Sequence, residues 1–425
     1  MMSKAALSIL PYLTSDLPGI GGVIKQRAED FRVEEVPLRG PSGKGKYLWF
    51  RLTKRGLPTP AAAKRVAKYM GVSPEMGGFA VLKDSLAVAC QWMSIGGDPD
   101  PRRLERFRDK QVRVDDIRPS SRPIEVGDLA GNRFIVRVRQ AAPTCAAKAK
   151  AILAVLERRG VPNYFGPQRF GARGGNSRLG EALLRGDVEE FLRVFLGRPC
   201  EGDPPTSRKA RTAFDRGDLA TAMSAWPHHC TDPRNALAAL LKHRGREVVV
   251  ASIDARVRQL CAQAFQSDVF NSVVAARIDS VDRVLAGDLA EDADSGRALP
   301  VTSANVQAVQ ARAEAFRISP TGVLPGRGAR LAGGEPGRIE KRVLAQRGVG
   351  LEMFTGPEAL RIAGARRTLR FAPTDMSASA GRDRHGPFVE LAFTAPPGCY
   401  ATVLLEEVCK NRQPYTRELH GPGGH

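Results

Sequence analysis

Apolar and polar positions alternate along the first part of the chain in a way that predicts strands. In GVIKQRAEDFRVEEV (22–36), Phe31, Val33 and Glu35 fall on one side of a strand, with Arg32 and Glu34 on the other. Glu35 therefore shares an apolar face, and a carboxylate there needs a partner such as Lys25 or a ligand. KYLWFRLTKRG (46–56), rich in aromatic and β-branched residues, predicts a second strand. A helix follows, with Thr59 as N-cap, Pro60 in the first turn, Ala63, Val66, Ala67 and Met70 at helical spacing, and Gly71 as its stop.

An apolar strand over Phe79–Leu82 then leads directly into Lys83 and Asp84, at a strand end where side chains can be presented to a cleft. In GNRFIVRVRQ (131–140), Asn132, Phe134, Val136 and Val138 share one face, with Arg133, Arg137 and Arg139 on the other, so Asn132 is an amide on an apolar side. From about Thr144 to Ala365 helical periodicity and glycine-rich turns dominate. Strand-like alternation returns in RRTLRFAPTDMSAS and FVELAFTAPP, and a last helix is predicted from Tyr400 to Lys410. The fold class expected is α+β, with a mixed, largely antiparallel sheet. One discontinuous domain (1–157 and 366–415) is interrupted by a mostly helical insertion (158–365), and 416–425 form a disordered tail.

Composition narrows the partner. The 425 residues carry 65 Lys and Arg against 45 Asp and Glu, a formal charge of +20 that favours a polyanion such as nucleic acid. The seven cysteines contain no CxxC pair, His228-His229-Cys230 cannot converge on one ion after Pro227, and no stretch approaches the roughly twenty apolar residues of a membrane span. Reduced thiols, no metal and a cytoplasmic location are the expectation.

Seven blocks taken together resemble the TruD family of transfer RNA pseudouridine synthases: KQRAEDFRVEE (25–35), GFAVLKDSLAVACQ (78–91), GNRF (131–134), GVPNYFGPQRFG (160–171), FQSDVFNSVVAARI (265–278), ISPTGVLPGR (318–327) and PPGCYATVLLEEV (396–408). The resemblance implies a pseudouridine synthase catalytic domain with a TruD-specific insertion. It also implies isomerisation of a uridine, uridine 13 of transfer RNA, without any cofactor. The family's aspartate maps to Asp84, with Lys83, Lys25, Phe31, Glu35, Asn132 and Phe134 in support. Arg169 and Arg173 are expected to contact RNA, and the chain to act as a monomer without an obligatory protein partner. Departures from the family pattern fall at Val81, Ser85, Leu86, Ala89 and Glu406. They motivate the alternative of a non-catalytic RNA-binding protein or RNA chaperone that keeps the fold.

Overall fold

The protein is described here by a computed structural model covering residues 10–355 and 362–411. The tail expected to be disordered, 416–425, lies outside the described residues. The chain divides into two compact units, one made of Thr14–Val161 and the segment beginning at Phe371, the other of Pro162–Arg370.

The first unit is organised by a single sheet. Its strands are β1 (Phe31–Pro37), β2 (Tyr47–Arg55), β3 (Gly77–Phe79), β4 (Val88–Ile95), β5 (Val112–Ser120), β6 (Leu129–Arg139), β7 (Thr374–Asp383) and β8 (Gly386–Ala395). The order is β7-β8-β6-β1-β4-β2-β5, with β3 paired to β4. Only β1 and β4 run parallel among these neighbours, so the sheet is mixed and largely antiparallel. The last two strands come from beyond residue 371; β8 is hydrogen-bonded to β6 and β7 to β8, which closes the unit around chain segments distant in sequence.

Helix α1 (Thr59–Met70) covers one face of this sheet. Its buried Ala62, Val66 and Met70 repeat at helical spacing and pack with Leu48, Phe50 and Leu52 of β2. Pro60 stands in its first turn, and Gly71, at φ 71°, takes the left-handed conformation that ends it. Two longer helices, α2 (Cys145–Arg159) and α3 (Ala401–Cys409), and a short one, Pro101–Glu105, also belong to the unit. The arginine face of β6 is closed at one end: Arg139 is 4% exposed and donates to Asp30, which is fully buried, and to Asp383.

The second unit is helical for the most part. Between Asn176 and Ala251 a set of short helices packs around Phe191, Leu192, Leu196, Trp226 and Leu237, followed by the 22-residue helix Ala255–Ala276. This unit also holds a four-stranded sheet of Leu289–Asp292, Ala298–Pro300, Ile318–Leu324 and Ala365–Thr368. Three of these strands, of three or four residues, carry too few alternations to stand out from the helical periodicity around them. No described helix is long and apolar enough to cross a membrane.

Candidate active site

Strand pairing gathers the site on one face of the first sheet. Glu35 of β1 lies opposite Asn132 of β6, Val33 lies opposite Phe134, and Phe31 opposite Val136. Directly opposed residues point to the same side, so parity in β1 and β6 brings a carboxylate, an amide and two phenylalanines together. Phe31 and Phe134 meet edge to face with ring centroids 6.1 Å apart, and Phe134 stacks on Phe393 at 5.2 Å.

The loop between β3 and β4 delivers Lys83 and Asp84 to this face. Lys83, buried, donates to Asn132 Oδ1 and lies 3.3 Å from Glu35 Oε2, while Glu35 Oε1 accepts the Trp92 N–H at 3.2 Å. Burial pushes the Glu35 carboxyl up and the Lys83 ammonium down, and their mutual attraction offsets part of each shift. Asp84 turns the other way. Its side chain is 36% exposed, and its Oδ2 is ion-paired with Lys25 Nζ while its Oδ1 accepts the Leu86 N–H at 3.2 Å. Burial opposes its ionisation, but Lys25, the Leu86 N–H and Lys54 together hold the carboxyl below the ordinary range. Lys25 is itself pinned, 6% exposed, with its ammonium 4.3 Å above the Phe31 ring. Its φ of 56° is a left-handed conformation that costs a bulky residue about 1–2 kcal/mol, so the surrounding contacts impose its placement.

The outcome is an ionised aspartate, reachable from solvent, at the border of an apolar aromatic face. The family model for tRNA pseudouridine synthase D (TruD) matches residues 8–408. Whole-chain relatives agree. A tRNA pseudouridine synthase D of Geobacter metallireducens is 39% identical over 404 residues, covering 95% of this chain and 98% of its own. Another from Geotalea daltonii is 37% identical, covering 94% and 100%. A crystal structure described as a tRNA pseudouridine synthase D from Methanosarcina mazei superposes with a TM-score of 0.84 at 29% identity, covering 95% of this chain and 97% of that one. The chain belongs to the TruD family.

Within this TruD chain the pairing of charges differs from the expected one. Glu35 is neutralised by Lys83, not by Lys25, because Lys83 enters on the loop leading into β4, the parallel neighbour of β1, while the left-handed turn at Lys25 directs its ammonium over Phe31 to Asp84. Thr59 also differs. It opens α1 without capping it; its Oγ1 accepts the Lys83 N–H at 3.0 Å and donates to Gln91 Oε1 at 2.9 Å, and Gln91 Nε2 donates to Val81 O at 3.3 Å. Two buried side chains, Thr59 and Gln91, thus tether the loop that carries Asp84.

Lys54 is a further member that the sequence reading passed over. It is fully buried, and its Nζ donates to the Asp84 main-chain oxygen at 2.6 Å. The signal was present: Lys54 has the parity of Leu48, Phe50 and Leu52, as Glu35 has that of Phe31 and Val33. Arg169 and Arg173 lie in the other unit, both half-buried. Arg169 donates to Ser267 Oγ at 3.0 Å, and Arg173 pairs with Asp203 at 2.9 Å. Two of the departures from the family pattern fit locally, since the bond from Leu86 is a main-chain N–H that any residue but proline supplies, and Ala89 fills a fully buried place between Val33 and Lys54.

Proposed function

We propose that this chain isomerises a uridine of transfer RNA, uridine 13, to pseudouridine, with Asp84 as the nucleophile. The observation that carries the reading is the state of Asp84, a carboxylate kept ionised by a buried lysine yet left open to a ligand, in a chain that matches its family over residues 8–408.

Forming pseudouridine breaks the bond between uracil N1 and ribose C1′, turns the base and joins C5 to C1′, after which the C5 hydrogen leaves as a proton. Asp84 serves this by adding to C1′ or by taking the C2′ proton on a glycal route, and both require the charged form that Lys25 favours. The base must leave its stack to reach the carboxylate, at a cost of a few kcal/mol. Phe31, Val33 and Phe134, all buried, form the apolar wall beside Asp84, and a detached uracil is retained at its edge. Lys25 holds Asp84, Phe31 supports Lys25, and the Glu35–Lys83–Asn132 group holds the loop backbone's neighbour in place. The surplus of positive charge, to which Arg169 and Arg173 contribute, draws in the RNA backbone.

The test is tritium release from 5-tritiated uridine in transfer RNA, which reports loss of the C5 hydrogen. The wild type releases tritium and Asp84→Asn does not, while the variant still binds the RNA. Release by Asp84→Asn at a rate near wild type removes the nucleophile assignment.

A further inference from the structure

The site contains three lysines, Lys25, Lys54 and Lys83, but two carboxylates, Glu35 and Asp84. Lys25 pairs with Asp84 and Lys83 with Glu35. That leaves Lys54, with no exposed surface, near the end of β2 between Ala89 of β4 and Val112 of β5, both buried and apolar. Among the described residues its hydrogen-bond partner is the main-chain oxygen of Asp84. An ammonium so placed is a poor way to stabilise a fold, since a methionine of similar length would fill the space without the loss of hydration. Its placement is accounted for by what it holds.

We propose that Lys54 is a positioning residue for Asp84, its ammonium anchoring the main chain of that residue so that the carboxylate stays aimed during turnover. The inference rests on the reading of Asp84 as the reacting carboxylate. It assigns Lys54 and Lys25 different parts. The Lys25 ion pair weakens as soon as Asp84 becomes an ester or takes up a proton, because its negative charge is gone. The bond from Lys54 goes to a carbonyl oxygen, whose acceptor character does not depend on that charge, and so persists through the step in which the ion pair is lost.

A pH dependence follows. Burial pushes the Lys54 ammonium down to about 8; the Asp84 carboxylate opposes this shift and the Lys83 ammonium adds to it, and these are the charged groups that bear on it. Above that value the neutral amine is the weaker donor, and the anchor slackens.

The experiment compares wild type, Lys54→Met and Lys54→Arg by two readouts. The first is backbone amide exchange over residues 83–87, which needs no turnover. Lys54→Met is expected to raise it about tenfold or more while exchange in β6 is unchanged. The second is steady-state pseudouridine formation from pH 6 to pH 9.5, with Asp84→Asn as the inactive control. Wild-type turnover is expected to fall as pH rises through about 8. Lys54→Met should lose about a hundredfold in kcat with KM within about threefold, the size expected of a misplaced reacting group, and should lack the alkaline fall. Lys54→Arg, which stays charged, should recover part of the rate and also lack that fall. Loop exchange unchanged in Lys54→Met, or kcat within about threefold of wild type while Asp84→Asn is dead, overturns the role of Lys54 and leaves that of Asp84 standing. An inactive wild type counts against the reading of Asp84, and the exchange readout still decides whether Lys54 anchors the loop. If Lys54→Met does not fold, a wild-type profile flat from pH 7 to pH 9.5 overturns the proposal by itself.

Discussion

The buried pair Glu35–Lys83 provides a quantitative check on how the site is built. Its charges lie 3.3 Å apart, with 1% and 4% of the side chains exposed. At an effective dielectric of about 20 the attraction is about 5 kcal/mol, and the loss of hydration takes back several kcal/mol per ion. The net worth of the intact pair is therefore small, whereas removing one member strands the other at a cost of about 3–5 kcal/mol. Lys83→Met leaves a carboxylate that burial already pushes up, so the folded state holds a proton that the unfolded state has released. Its cost therefore grows as pH rises above the ordinary carboxylate range. Glu35→Gln leaves an ammonium that burial pushes down, so the unfolded state binds the proton more tightly and the cost shrinks as pH rises towards the ordinary lysine range. The double variant should cost about 3 kcal/mol less than the sum of the singles. Urea unfolding of all four proteins at pH 5.5, 7 and 8.5 measures this. Additive singles, or two singles with the same sign of pH dependence, would refute the reasoning.

Three further outcomes are expected. Arg139→Met should destabilise the first unit by about 3–5 kcal/mol, read by thermal or urea unfolding, because it strands fully buried Asp30, while Asp383 keeps its pair with Arg137; a loss below about 1 kcal/mol contradicts that role. Asp84 has its carboxyl held low, so its contribution to stability is complete above the ordinary carboxylate pKa and is lost as pH falls through its folded value; Asp84→Asn should flatten that part of the acid limb and lower Tm modestly at neutral pH by leaving Lys25 unpaired. Affinity for transfer RNA should fall steeply between 50 and 200 mM salt in a filter-binding titration, and a nearly flat salt dependence would remove the electrostatic account.

Much of this arrangement was legible in the order of residues, and the reasons are physical. Strand parity in 31–35 and 131–138 depends on nothing beyond the pleat, and the register that sets Glu35 opposite Asn132 obeys it. Helix α1 was readable from Pro60, the Val66–Met70 spacing and Gly71 because its signals are local. The charge pairing was not, since it depends on which loop enters beside β1, and that follows from a parallel contact with β4, about 55 residues further along the chain. Lys54 escaped for a different reason: a lysine near a strand end ordinarily reaches water, and only the covering helix and the neighbouring loop show that this one does not. The Thr59 hydroxyl, read as a helix cap, was instead committed to the Asp84 loop, a contact that local sequence does not specify.

The central claim is that Asp84 converts uridine to pseudouridine in transfer RNA. Its most direct test is base-resolution mapping of transfer RNA incubated with the purified wild type and, separately, with Asp84→Asn. The account predicts pseudouridine at position 13 with the wild type and unmodified uridine there with Asp84→Asn. Modification by Asp84→Asn to the same extent, or no new pseudouridine in any transfer RNA with the wild type, would contradict it.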